Sequence, residues 1–149
     1  MQLVFDLPEI DRDATKKVVE ATLEKYRLYS LQVSLDKLPS VTAKYTLVPP
    51  SPSLPSSSTE TAALANYDYE RERTNFIDWM LRAVNRLSVE ERKLIIQRYL
   101  MENEEFDYQV YATLNISERQ YYRVKARAFY KLAFALKIEV YKDREVSAS

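Results

Sequence analysis

An all-α fold is what this 149-residue chain predicts, and three observations carry the prediction. Apolar residues recur at intervals of three and four along several stretches, which is the spacing that gives a helix one buried side. Two serine-led capping boxes, at Ser88 and Ser117, mark where helices begin. Five of the six prolines lie together between Gln32 and Glu60, so the helix breaker is kept out of the periodic stretches.

Taken in order, the chain opens with Leu3, Val4, Phe5 and Leu7, a short apolar run closed by Pro8. A helix is predicted over Asp11 to Leu31, with Val18, Val19, Thr22, Leu23, Tyr26 and Tyr29 on one side. Acidic Asp11 and Asp13 at its start, and Lys25 and Arg27 later, suit the helix dipole. This amphipathic helix either packs on the rest of the protein or engages another copy or another protein.

A Pro/Ser-rich linker follows. Val41, Ala43, Tyr45 and Leu47 alternate with polar residues and permit a brief strand. Pro49 to Ser58 holds too few apolar side chains to offset the entropy of ordering it. Helical periodicity returns near Asn66 and runs to Arg86, with Phe76, Ile77, Met80, Ala83, Val84 and Leu87 on one side, Trp79 beside them, and Tyr69 to Arg73 charged and solvated. Ser88-Val89-Glu90-Glu91 then restarts the chain as a helix whose Leu94, Ile95, Ile96, Tyr99 and Leu100 form a wide apolar face. The predicted organisation is a helical segment over 1–32, a linker over 33–60, a helical domain over 61–141 and a polar tail over 142–149, with fraying expected from Glu139 onward.

Phe106 to Leu136 reads as two helices joined by a tight turn, a helix-turn-helix. Asp107 is placed to accept from the first helix's free amides. Asn115 fits the turn because asparagine tolerates the left-handed conformation better than any residue except glycine. Ser117 and Gln120 form the second capping box. Along the second helix Tyr121, Val124, Ala128 and Leu132 fall on one side. Arg119, Arg123, Ala126 and Tyr130 fall opposite, flanked by Tyr122 and Arg127. No acidic residue occurs from Arg119 to Lys131. An apolar underside with arginines on the outer face is the pattern that major-groove reading needs, since guanidinium groups pair with guanine edges and phosphates and glutamine pairs with adenine. The plainer reading is a solvated basic face on a core helix. Beyond Ala128 the helix is apolar nearly all round, so Phe129, Leu132, Phe134 and Leu136 are expected to be buried, by the N-terminal helix or as an oligomerisation or partner surface.

Composition narrows the alternatives. The 22 basic and 22 acidic residues cancel, so nucleic-acid affinity has to come from local segregation of charge, visible as acidic Glu102, Glu104, Glu105 and Asp107 ahead of basic Arg119, Arg123, Lys125, Arg127 and Lys131. Histidine, cysteine and glycine are all absent. That removes thiol and imidazole catalysis, the usual zinc sets and the glycine-rich phosphate loops, so no enzyme, no cofactor, no metal and no small-molecule substrate is expected. No cleavable signal is expected, because Met1 to Asp6 has neither a basic leader nor a long enough apolar core, and no apolar run is long enough to span a bilayer. The expected location is the cytoplasm of a bacterial host cell, with no membrane partner.

Two resemblances extend this reading. The run Leu87 to Leu100 (LSVEERKLIIQRYL), a short helix, a turn ending Asn115-Ile116-Ser117 and a basic helix resemble region four of bacterial sigma factors, which reads the promoter minus-35 element and touches RNA polymerase. Asn115 stands where many sigma factors have glycine, Lys125 occupies an often apolar position, and the acidic insert at Glu102 to Glu105 is not typical. A second resemblance covers nearly the whole chain. Leu7 to Asp11, Leu47 to Ser51, Ser57 to Glu60, Asp68 to Glu72, Ser117 to Arg123 and Ala128 to Leu136 are similar to the ArpU-like phage and prophage transcriptional regulators of Gram-positive bacteria.

That resemblance implies a sequence-specific regulator of late phage genes for packaging, morphogenesis or lysis, acting on double-stranded DNA. Ser117, Arg119, Gln120, Tyr122, Arg123 and Arg127 are the candidate DNA-binding residues, with RNA polymerase and a second copy of the chain as further candidate partners. The alternative is a helical adaptor that binds RNA polymerase or another phage protein without reading DNA.

Overall fold

The computed structural model describes residues 9–33 and 57–142, with side chains in the second block from residue 64. Every named element among them is helical: α1 (Arg12–Gln32), α2 (Ser57–Val84), α3 (Val89–Ile95) continuing into a π-helical turn (Ile96–Leu100), α4 (Asp107–Thr113) and α5 (Glu118–Leu136). The brief strand expected at 41–47 lies outside the described residues, as do the apolar run 3–7 and the tail beyond Lys142.

Each helix starts and stops for a local reason. Asp11 caps α1 by accepting the Ala14 N–H at 3.0 Å. At α3 the expected capping box forms in full: the Glu91 N–H donates to Ser88 Oγ, and the Ser88 N–H donates to Glu91 Oε1 at 2.9 Å. The box at α5 forms by half. Ser117 Oγ accepts the Gln120 N–H at 3.1 Å, and the return bond from the Gln120 side chain is not made.

α4 also departs from expectation, because Asp107 does not cap it. The Gln109 side chain accepts the Phe106 N–H at 2.8 Å instead, and the Asp107 carboxylate turns inward to three side-chain donors that outcompete backbone amides. α4 and α5 both end in a left-handed residue, Asn115 (φ 55°) and Lys137 (φ 59°). In each the next amide reaches back along the helix to close the turn, Ile116 N–H to Tyr111 C=O at 3.1 Å and Ile138 N–H to Ala133 C=O at 2.9 Å.

One core unites the described helices. α1 contributes Val19, Leu23 and Tyr26, α2 contributes Ile77, Met80 and Val84, and α3 contributes Leu94 and Ile95. α5 lies among them and packs against α1, α2, α3 and α4, with Tyr121, Val124, Ala128, Leu132 and Ala133 buried. The periodic apolar residues of α2 take their expected side, while residues 64–72 of that helix are exposed throughout.

Two expectations are corrected here. Phe129, Leu132 and Leu136, expected to be buried either by the N-terminal helix or as a partner surface, are buried inside the chain's own core at 5%, 0% and 3% exposure, which corrects the second alternative. The burial comes from the chain itself, because α1 and α2 as well as α3 pack on α5, and only Phe134 of the four stays exposed, at 41%. The second correction concerns residues 139–142, expected to fray. The turn at Lys137 sends them back along the start of α1, where Ile10 and Tyr141 form an antiparallel bridge. The Asp11 N–H donates to Val140 C=O and the Lys142 N–H to Glu9 C=O, each at 2.8 Å, and Thr15 Oγ1 accepts the Val140 N–H at 3.0 Å. These bonds satisfy backbone groups that a polar composition alone leaves unassigned. Among the described residues no helix is long and apolar enough to cross a membrane.

Candidate nucleic-acid interface

The outer side of α5 carries two parallel rows at four-residue spacing, so the side chains in each row lie above one another along the helix. Arg119, Arg123, Arg127 and Lys131 form the first row and are exposed; Tyr122, Ala126, Tyr130 and Phe134 form the second and are exposed as well. Tyr130 and Phe134 meet edge to face with centroids 5.0 Å apart. The candidate residues are thereby brought onto one continuous surface: Ser117, Arg119, Tyr122, Arg123 and Arg127 are exposed, and Gln120 is half-exposed.

They differ in how free they are. Arg119 and Arg123 take part in none of the ion pairs formed among the described residues, whereas Arg127 lies 3.8 Å from Glu90 and Lys131 bonds Glu91 at 2.8 Å. The Ser117 hydroxyl is occupied with its own helix cap.

Lys125 is not part of this surface. Its side chain is 11% exposed and its ammonium group lies 3.1 Å from Asp107 Oδ1. The rings of Tyr99, Tyr121, Tyr122 and Phe129 surround it at 5.6 to 5.9 Å. The same carboxylate oxygen accepts from Arg98 Nε at 3.0 Å and from the Tyr121 hydroxyl. Burial works against the charged Asp107, but the bonds from Tyr121, Lys125 and Arg98 outweigh it and hold its pKa below the ordinary carboxylate value. Burial and then the bond to Asp107 push the Tyr121 hydroxyl well up, so it stays a protonated donor. This cluster fastens the start of α4, the π-helical turn and the middle of α5 to one another.

A second internal pair fixes α5 against α3. Glu91 is 1% exposed, and burial alone would raise its pKa, yet hydrogen bonds from Lys131 and Ser88 lower it. One carboxylate therefore closes the α3 cap and anchors the last cation of the outer row.

The sequence reading missed a cleft of about 500 Å³ between the start of α1 and the outer side of α5. Ile10, Arg12, Asp13, Thr15 and Lys16 form one wall; Tyr122, Lys125, Ala126, Arg127, Phe129, Tyr130 and Lys131 form the other. Two of the candidate residues, Tyr122 and Arg127, thus border a cleft, while Ser117, Arg119, Gln120 and Arg123 lie on the open helix beyond it. A hint for Lys125 was present, since it follows Val124 and lies four residues after Tyr121 on the apolar side. Nothing in the spacing of α1 and α5 pointed to the cleft, because it depends on how two distant helices cross.

Electrostatically, this arrangement presents a short helix, a four-residue turn and a longer helix whose first two outward turns hold guanidinium groups and an amide that are uncommitted among the described residues. Such groups can bind phosphate oxygens and base edges. No family model and no solved structure matches the chain. It is similar to the uncharacterized phage-related protein Lin1259/Lin1739 of Listeria innocua serovar 6a, at 32% identity over 143 residues, which covers 95% of this chain and 100% of that protein. With identity at that level along almost the whole of both proteins, the chain belongs to the family of this phage-related Listeria protein.

Proposed function

We propose that the protein is a sequence-specific, double-stranded DNA-binding transcriptional regulator of phage or prophage late genes. The observation that carries the reading is the exposed row Arg119, Arg123 and Arg127 on a capped helix packed on the core, with no acidic side chain between Arg119 and Lys131. Arg119, Gln120 and Arg123 would meet base edges. Tyr122 and Arg127 would meet the backbone, and the α5 amides next to Ser117 would face a phosphate. The phage association of the Listeria relative and the resemblance to ArpU-like regulators support the late-gene assignment. RNA polymerase is a further partner on the sigma-like resemblance, and the site of action is the host cytoplasm.

Footprinting the full chain across the intergenic regions of its parent phage or prophage tests the reading. A protected operator is expected, with affinity falling steeply as salt rises, because several arginines displace counterions on binding. Absence of a footprint on any of these regions at low salt would remove it.

One observation favours a second reading. The aromatic row Tyr122, Tyr130 and Phe134 and the cleft beside it would suit an adaptor that binds RNA polymerase or another phage protein. An apolar contact of that kind would respond little to salt, which separates the two readings.

A further inference from the structure

The loop between the π-helical turn and α4 is the other largely exposed feature of the described residues. Glu102 and Glu104 are exposed and take part in no ion pair among the described residues. Beside them Phe106 and Tyr108 stand 63% and 59% exposed, their rings stacked 5.9 Å apart and within 9° of parallel. Large aromatic side chains held this far into water are the exception in a monomer and common at interfaces.

The loop is pinned at both ends. Arg27 donates to the Met101 C=O at 3.2 Å, and Asp107 is tied to Arg98 and Lys125. Neither Phe106 nor Tyr108 lines the chain's own cleft. That cleft has the complementary character. Its floor is apolar and aromatic, and on its α1 wall Arg12 and Lys16 are exposed and in no described ion pair, with Asp13 as the one acidic residue of the lining.

We propose that the cleft receives the acidic aromatic loop of a second copy of this chain, with Phe106 entering between α1 and α5, and Glu102 and Glu104 meeting Arg12 and Lys16. Charge complementarity selects this occupant: two carboxylates and two cations, none of them ion-paired among the described residues, flank an aromatic anchor on one surface and an apolar cleft on the other. Because loop and cleft are different surfaces of one chain, each copy offers one of each, and reciprocal exchange closes a two-fold dimer. The contact would leave Arg119, Gln120 and Arg123 outside it and would place Tyr122 and Arg127 at its border. It is independent of whether α5 reads DNA.

Sedimentation of the full chain at micromolar concentration, without DNA, tests the proposal on two variants. One changes the loop (Glu102→Lys, Glu104→Lys, Phe106→Ala) and the other changes the cleft (Arg12→Glu, Lys16→Glu). All five positions are exposed, and thermal melts followed by circular dichroism establish that both variants fold. The wild type is expected to dimerise, each variant to associate at least about tenfold more weakly, and an equimolar mixture of the two to form a one-to-one dimer, since the intact loop of one still fits the intact cleft of the other. A monomeric wild type overturns the proposal, as does undiminished association of either variant or failure of the mixture to restore the dimer.

Discussion

Lys125 and Arg123 lie two residues apart on α5 and carry the same charge, yet they belong to different parts of the molecule. Arg123 is exposed, with no acidic partner among the described residues. Lys125 is enclosed by four aromatic rings and commits its charge to Asp107. A rotation of about 200° around the helix separates a residue that can serve a ligand from one that serves the fold. A run of positive charge is therefore two populations once the helix has a buried side, and counting basic residues overstates the interface. Of the five cations from Arg119 to Lys131, only Arg119 and Arg123 are not paired among the described residues.

The sharpest way to break this division is to remove the internal acceptor. Asp107→Ala leaves Lys125 and Arg98, with side chains 11% and 18% exposed, lacking their carboxylate. Loss of about 3 kcal/mol of stability is expected, read as a lower urea midpoint. A variant that stayed as stable as the wild type would place the Asp107 cluster with the surface charges.

Much of the fold was legible before the structure because it depends on local spacing. The apolar side of α2, the full capping box at Ser88 and the left-handed turn at Asn115 follow from neighbouring residues and take their expected places. What sequence could not supply is what distant segments do to one another. Asp107 has the composition of a helix cap, and only the approach of Arg98, Tyr121 and Lys125 draws it inward. Phe129, Leu132 and Leu136 look like an assembly surface until α1 and α2 are known to lie against α5. Residues 139–142 look like a polar tail until they meet residues 9–15. The same limit hid the cleft, whose two walls are more than a hundred residues apart in the chain.

The outer row answers to a different measurement. Arg123→Ala should leave unfolding within about 0.5 kcal/mol of the wild type, as exposed substitutions usually do. On the proposed DNA-binding function its cost of about 1–3 kcal/mol should emerge in operator binding, confined to one base position if Arg123 reads a base and equal on all sequences if it meets phosphate. Unchanged operator affinity in a gel-shift titration would take Arg123 out of the interface.

A gentler probe is acid. Asp107 and Glu91 both have folded-state pKa values lowered from the ordinary 3.8 and 4.5, so each adds stability that is complete above its ordinary value and is lost as pH falls toward the folded one. The melting temperature should hold between neutral pH and about 5 and then drop, and Asp107→Asn with Glu91→Gln should flatten the drop. A wild-type curve matched by the double variant would mean that these carboxylates are not what acid releases.

The smallest expected effect compares the two left-handed caps in a chain that has no glycine. Asn115 and Lys137 adopt nearly the same φ, 55° and 59°. Asparagine offsets the crowding of that conformation through its short polar side chain, whereas lysine has no such compensation. Lys137→Gly should therefore stabilise the protein by about 1 kcal/mol, reduced somewhat by glycine's greater freedom in the unfolded chain, and Asn115→Gly by less. Lys137 also has the larger bearing on its neighbours, because its turn returns Ile138 to Lys142 along the first residues of α1, beside the cleft. If Lys137→Gly raises the melting temperature and leaves self-association unchanged, the turn acts only through backbone strain. If it weakens self-association while stabilising the fold, the lysine is holding the α1 wall of the cleft in place.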